Sequence, residues 1–204
     1  TVKNLLKIKE NVKANFSNDT NLIKFPNIIA VSKTFKINHI LPLIEYGHIH
    51  FGENKVQEAV EKWTSVKEKN NSIKLHLIGR LQTNKAKIAI KFFDYIHSLD
   101  SEKLANKISQ LQNELNLKKK LFIQVNIGNE IQKSGISLDE LTDFYNYCKE
   151  LNLDIIGLMC IPPFNKDTSQ YFKKMKSLKE KLQLKELSMG MSSDYLNAID
   201  NSST

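Results

Sequence analysis

Lys33 stands at the point where an apolar segment of the sequence ends. Residues 28–31 read Ile-Ile-Ala-Val, which is typical of a strand buried in a parallel sheet, and Ser-Lys-Thr follows directly. At the end of an interior strand, partial burial would favour the neutral form of a lysine amine. A neutral amine attacks aldehydes and forms Schiff bases. The alternative role is a solvated lysine at a strand end, which is common in a lysine-rich chain.

A second segment could bind an anion. Residues 188–194 read "SMGMSSD", in which Gly190 allows a close turn and Ser192 and Ser193 lie where a helix is predicted to begin. Free backbone N–H groups at a helix start, with the positive end of the helix dipole, favour phosphate. Simple N-capping is the alternative role of the two serines. If both segments act on one ligand, that ligand is an aldehyde that carries a phosphate group.

His48 and His50 lie two residues apart in a predicted strand and therefore share a face, as zinc ligands can. The sequence offers no third ligand at a metal-like spacing. We therefore interpret both histidines as structural and predict no metal site.

The elements that must position these residues alternate between strands and helices. An amphipathic first helix over residues 1–16 precedes them. Strands are predicted near residues 27–32, 48–51, 74–78, 94–97, 120–126, 153–159 and 186–189. Helices are predicted near residues 36–46, 53–69, 82–92, 101–117, 137–151, 166–183 and 193–200. This alternation predicts βαβ units and a parallel sheet.

Two α/β architectures could hold these units. Because no glycine-rich nucleotide-binding motif follows any strand, we prefer a TIM-type (β/α)8 barrel to a doubly wound open sheet. The barrel would have an extra N-terminal helix and lack one strand, and residues 1–204 would form a single domain.

In such barrels the functional groups lie at the carboxyl ends of the strands. Nearly all of the predicted strand ends carry polar, glycine or sulfur-bearing residues. Besides Lys33 and residues 188–194, these are Gly52, Glu53, Asn54, Gly79, Arg80, Gln82, His97, Ser98, Asn126, Met159 and Cys160.

Composition excludes several classes of partner. The formal net charge of +8 would suit a nucleic-acid-binding protein, but Arg80 is the only arginine among the 30 basic residues. Specific phosphate and base contacts favour arginine, so we interpret the scattered lysines as solvated helix faces and expect no nucleic-acid partner. Two cysteines without CxxC spacing, and no apolar run of roughly 20 residues, predict a cytoplasmic protein that binds no membrane.

Seven short segments follow one another from about residue 27 to the end of the chain. They read "AVSKTF", "HFGENKVQEA", "LHLIGRLQTNKAK", "HSLDSEKLA", "QVNIGNEIQKSG", "GLMCIPP" and "LSMGMSSDYLNAI". Each segment is a weak signal alone, but the series is specific. Together they resemble the pyridoxal phosphate homeostasis proteins, single-domain relatives of the N-terminal domain of alanine racemase.

The resemblance implies a barrel that binds pyridoxal 5′-phosphate (PLP) as a Schiff base on the strand-one lysine, which matches Lys33. It places Asn54 near the cofactor and implies that the loop at residues 189–192, with Met191 and Ser192, helps to hold the phosphate. The implied function is intracellular homeostasis of PLP, a form of vitamin B6, with no established catalytic reaction. The implied partners are PLP and PLP-dependent apoenzymes, and we expect a monomer.

The sequence departs from the family near Thr204. Family members continue from "AI…GST" into a last strand, "VRIG…IFG", whose arginine faces the cofactor ring. Here the sequence reads "AIDNSST", with Ser202 where glycine is usual, and Arg80 does not match that arginine. We therefore expect a missing eighth strand, a longer natural chain, and weak PLP binding by these 204 residues alone.

Two enzymes on the same fold are the alternatives. A PLP-dependent amino-acid racemase would need a tyrosine base and residues from an added β-domain, for which 204 residues leave no room. A Schiff-base aldolase would use Lys33 without a cofactor.

Overall fold

The structure is a computed structural model that describes residues 1–16, 25–130, 132–164 and 166–204. Seven parallel strands form one sheet in which each strand pairs with the next strand along the chain. The strands are β1 (Ala30–Val31), β2 (His50–Glu53), β3 (Lys74–Leu77), β4 (Tyr95–Leu99), β5 (Lys120–Gln124), β6 (Asp154–Met159) and β7 (Glu186–Ser188). All seven predicted strands are present, although β1 is much shorter than predicted.

Helices connect these strands. They are α1 (Val2–Phe16), α2 (Ile37–Glu45), α3 (Val56–Lys69), α4 (Ala86–Phe92), α5 (Glu102–Leu115), α6 (Leu141–Glu150), α7 (Ser169–Lys181) and α8 (Tyr195–Asp200). A short 3₁₀ helix, Thr83–Lys85, precedes α4. The predicted TIM-type α/β fold with an extra N-terminal helix is confirmed, and no eighth strand occurs among the described residues.

Helix α5 illustrates why these segments form helices. The Ser101 side chain accepts a hydrogen bond from the N–H of Leu104 at 3.4 Å, as an N-cap does, and Asn116 ends the helix in the left-handed region at φ 48°. Leu104, Ile108 and Leu111 follow one another at helical spacing, and all are buried. Burial of this stripe therefore fixes the helix against the sheet.

Alternate residues of each strand face opposite sides of the sheet. In β2, Phe51 packs against Trp63 of α3 with ring centroids 4.8 Å apart, so this face is covered by helices. His50, its neighbour, points to the inner side of the curled sheet and lines a cavity there. The inner side is therefore where the strands can present polar groups to a ligand.

Strands β1 and β7 are the two ends of the sheet, and Thr204 connects them at one point. The Thr204 N–H donates to the Leu187 carbonyl of β7 at 3.0 Å. The Thr204 carbonyl accepts from the N–H of Asn27, which precedes β1, at 2.5 Å. The sheet is thus a half-barrel whose two ends approach each other through Thr204.

Among the residues that the structure describes, none of the helices combines the length and the apolar character needed to cross a membrane.

Candidate functional site

A cavity of about 700 Å³ occupies the inside of the half-barrel. The inward side chains of the strands form its wall, and residues that follow the carboxyl ends of the strands form its mouth. Lys33, Asn54 and Met191 all line this cavity. Ser192 is exposed beside the mouth and is not among the lining residues. Three of the four predicted site residues therefore share one cavity.

Lys33 is exposed at the cavity mouth, so the partial burial expected of it is not found. Strand β1 ends at Val31, and the chain turns immediately afterwards, with the Phe35 N–H donating to the Ser32 carbonyl at 3.3 Å. Thr34 has a φ of +68°, which is unusual for a β-branched residue. The lysine thus sits in a tight turn and can be reached from solvent.

A buried carboxylate lies directly behind this turn. Glu53 is fully buried, and its Oε1 accepts hydrogen bonds from Ser32 Oγ at 2.8 Å, Lys62 Nζ at 2.9 Å and Trp63 Nε1 at 2.9 Å. Sequence reasoning placed Glu53 at a strand end but missed its partner in α3. Glu53 and Lys62 are nine residues apart, one in a strand and the other in the following helix, so neither strand nor helix periodicity predicts their contact.

Asn54 is held by a close approach between the ends of β2 and β3. A Cβ atom on Gly79 would lie 2.3 Å from the main-chain oxygen of Asn54 and 2.7 Å from its Cα. Only glycine therefore allows the main chain that follows β3 to pass Asn54. Both residues line the cavity, so this contact shapes its mouth.

The loop that follows β7 turns at Gly190, whose φ is +92°. Asp194 Oδ1 accepts a hydrogen bond from the Met191 N–H at 2.6 Å, and the Met191 carbonyl accepts one from the Tyr195 N–H at 2.9 Å. Helix α8 begins at Tyr195, so Ser192 and Ser193 lie in the turn before it and not at its first residues as predicted. Within the described part of the chain, their N–H groups have no hydrogen-bond partner and can meet an anion.

A chain of hydrogen-bonded imidazoles crosses the cavity wall. His50 Nδ1 lies 2.9 Å from His76 Nε2, and His76 Nδ1 lies 2.9 Å from His97 Nε2. His97 Nδ1 is 2.8 Å from Ser188 Oγ in β7. Tyr95 stacks on His76 with centroids 4.3 Å apart, and Phe122 stacks on His97 at 4.2 Å. We call these three histidines and Ser188 the histidine chain.

Burial sets the charge of the histidine chain. Loss of hydration lowers the pKa of His97 to about 3. Burial, together with the positive charge that His97 and His50 could carry, lowers the pKa of His76 to about 2. Both rings are therefore neutral at physiological pH.

His48 and His50, considered above as a zinc pair, have other roles. His48 Nε2 contacts the main-chain oxygen of His50 at 2.9 Å, whereas His50 belongs to the histidine chain. Among the described residues, no three His, Cys, Asp or Glu side chains are grouped as metal ligands would be.

Comparison with known proteins first defines the class. Residues 9–204 match the family of the alanine racemase N-terminal domain. An alanine racemase of Clostridium difficile superimposes with a TM-score of 0.63 at 16% identity, over 91% of this chain and 51% of that chain, which shows the fold alone. PipY of Synechococcus elongatus, solved with PLP bound, superimposes with a TM-score of 0.82 at 32% identity, over 96% of this chain and 94% of PipY.

Two curated relatives narrow the assignment. The pyridoxal phosphate homeostasis protein of Aquifex aeolicus is 36% identical over 187 residues, which are 87% of this chain and 81% of the relative. The protein of the same name in Escherichia coli is 34% identical over 187 residues, with coverages of 87% and 80%. The chain belongs to the family of pyridoxal phosphate homeostasis proteins.

Proposed function

We propose that this chain binds PLP as a Schiff base on Lys33 and takes part in PLP homeostasis. The observation that carries the proposal is the shared cavity of Lys33, Asn54 and Met191, in a chain whose relatives are named for PLP homeostasis. PLP supplies an aldehyde that a lysine amine can hold reversibly. The bond forms between Lys33 Nζ and the aldehyde carbon, while two protons of the amine and the aldehyde oxygen leave as water.

The residues at the cavity mouth fit this ligand. Lys33 is exposed, so a ligand from solvent can reach its amine. The free N–H groups of Ser192 and Ser193, beside the turn at Gly190, suit a phosphate group. Ser192 would thus act through its main chain from the rim of the cavity, and Met191 through its position in the same loop. Asn54, which also lines the cavity, would contact the rest of the cofactor.

The wider setting of this function is also part of the proposal. We propose a single PLP-binding domain over residues 1–204, a monomer, and a cytoplasmic location in which PLP-dependent apoenzymes receive the cofactor. Two free, buried cysteines are consistent with a reducing compartment. No catalytic reaction is part of the proposal.

The test is borohydride reduction of the protein with PLP, followed by digestion and mass spectrometry. We expect the pyridoxyl adduct on the peptide that contains Lys33, and its loss in Lys33→Ala. Lys36→Ala is the matched control, because Lys36 is also exposed and lies three residues further along the chain. An adduct found mainly on another lysine, or an unchanged yield in Lys33→Ala, would contradict the proposal.

A further inference from the structure

We infer that Glu53 and Lys62 form a positioning pair that fixes the peptide bond between Ser32 and Lys33, so that Lys33 is presented to the cavity. This inference rests on the proposed function of Lys33. Neither residue contacts the cavity, since both lie on the helix-covered side of the turn. Their effect on the ligand therefore passes through Ser32.

The pair is buried and charged. Glu53 is fully buried, and only 12% of the Lys62 side chain is exposed. The nitrogen of Lys62 lies 2.9 Å from Glu53 Oε1 and donates a second hydrogen bond to the Ser32 carbonyl at 2.8 Å. Removal of two charges from water is costly unless their geometry is well satisfied.

That cost is not fully compensated within the pair. The second carboxylate oxygen, Glu53 Oε2, is buried and has no hydrogen-bond partner among the described residues. A group with a purely stabilising role would be expected to satisfy both oxygens. The arrangement instead concentrates three donors on Oε1, the oxygen that contacts Ser32.

Every polar atom of Ser32 makes a hydrogen bond to β2 or α3. Its N–H donates to the Gly52 carbonyl at 2.9 Å, and its hydroxyl donates to Glu53 Oε1 at 2.8 Å. Its carbonyl accepts from Lys62 Nζ at 2.8 Å. Strand β1 pairs through only two residues, so these contacts with β2 and α3 restrain the end of β1 more than its own ladder does.

The turn after Ser32 needs such a restraint. Thr34 adopts a φ of +68°, and a β-branched residue persists in that region only where its surroundings impose it. Lys33 lies between the fixed carbonyl of Ser32 and this strained residue. The orientation of the lysine is therefore set by the buried pair and the strained turn together.

The test uses a double variant, Glu53→Gln with Lys62→Met, because removal of both charges avoids a lone buried ion. We expect it to fold and to form the borohydride-trappable adduct at Lys33 roughly 10- to 100-fold more slowly, as misplaced reacting groups do. We also expect altered circular dichroism of bound PLP in its visible band, which reports ligand orientation and not fold stability. The single variant Lys62→Arg keeps Glu53, the positive charge and the donors, and it should retain most of the unmodified rate.

The matched control makes the same two changes at an exposed pair, with Lys55→Met and Glu58→Gln. These side chains form an ion pair at 2.6 Å but are 72% and 46% exposed. The control should behave like the unmodified protein. If the buried double variant reacts at the unmodified rate with unchanged dichroism, the inference is wrong although the function of Lys33 stands.

If the unmodified protein forms no adduct at Lys33, the proposed function fails and the inference is tested in the ligand-free protein. Amide hydrogen exchange of residues 32–35 is then the measurement. Faster exchange there in the buried double variant, with no change in the exposed control, supports the positioning pair. Equal exchange in both variants overturns it.

Discussion

Nδ1 of His76 lies 2.9 Å from Nε2 of His97, so two neutral imidazoles share one proton along this contact. A neutral imidazole has one donor and one acceptor nitrogen, and His76 and His97 each use both in the histidine chain. Protonation of both rings would place two N–H donors against each other. The contact therefore requires that at least one of the two rings is neutral.

Stability should fall in acid because of these two rings. Their ordinary pKa of 6.5 is lowered by burial to about 2 for His76 and about 3 for His97. The unfolded chain thus takes up protons below about pH 6.5, whereas the folded protein does not, and each histidine lowers the free energy of unfolding by roughly 1.4 kcal/mol per pH unit as the pH falls. Urea unfolding at a series of pH values measures this slope.

The variant His97→Gln removes one titrating group, so the dependence of stability on pH should become shallower. His39→Gln is the control, because His39 is exposed and lies outside the histidine chain. A slope that is the same in His97→Gln as in the unmodified protein would contradict the assignment.

In Gly190→Ala, the loss of PLP-binding free energy should exceed the loss in the free energy of unfolding. The new Cβ would lie 2.7 Å from the Cβ of Ala198, and its residue would be strained at a φ of +92°. Gly47→Ala is a matched control, because Gly47 has a φ of +91° but nothing within 4 Å of a new Cβ. In both variants, backbone strain should lower the free energy of unfolding by about 1 kcal/mol.

Only Gly190→Ala should displace the loop at residues 189–192. Equilibrium titration with PLP and thermal unfolding, measured on both variants, separate the two effects. Equal PLP affinity in the two variants would show that the loop does not hold the phosphate.

Cys148 and Cys160 should be unreactive in the folded protein. Burial raises the pKa of each thiol to about 12, so neither forms the reactive thiolate at neutral pH. Cys160 lines the cavity, yet only 3% of it is exposed. An alkylating reagent should modify both residues only after unfolding, whereas the cysteine introduced by Ser177→Cys at an exposed position should react at once. Mass spectrometry measures the modification. Rapid modification of Cys160 in the native protein would contradict its burial.

Asp94→Ala should destabilise the fold without affecting PLP binding. Asp94 Oδ2 accepts from the buried Leu75 N–H at 2.9 Å and from Lys67 Nζ at 3.1 Å, at the start of β3 and β4 and therefore opposite to the Lys33 end. Loss of the acceptor should cost about 1–3 kcal/mol. Asp94→Asn keeps an acceptor oxygen and should cost less. Urea unfolding measures the loss, and reduced PLP affinity in Asp94→Ala would show that the two ends are coupled.

The sequence predicts the order of the strands well because apolar runs and helical periodicity are local signals. It also predicts that Lys33 and Asn54 come together, since parallel strands end at the same edge of a sheet. Burial of Lys33 was predicted wrongly, because β1 contributes only two residues and the chain turns outward directly after it. The length of an end strand depends on its neighbours as well as on its own residues.

The histidine chain could not be predicted for a related reason. His50, His76 and His97 belong to three different strands, and their contact depends on the register between strands and on which face each residue takes. The alternation of side chains along each strand does place all three histidines on the inner face, but it does not give their positions along the barrel axis. The Glu53–Lys62 pair was missed because it joins a strand to the following helix.

The order of the strands in the sheet also determines the order in which they can assemble during synthesis. Each strand pairs with the one that follows it, so β1 to β7 can assemble one after another as the chain leaves the ribosome, with short loops to close. Helix α1 is different, because side-chain hydrogen bonds join it to α8, the last helix: Asn11 donates to the Tyr195 hydroxyl at 2.9 Å, and Asn15 donates to Asp200 at 2.6 Å. The contacts between α1 and α8 can therefore form only after all seven strands have been synthesised.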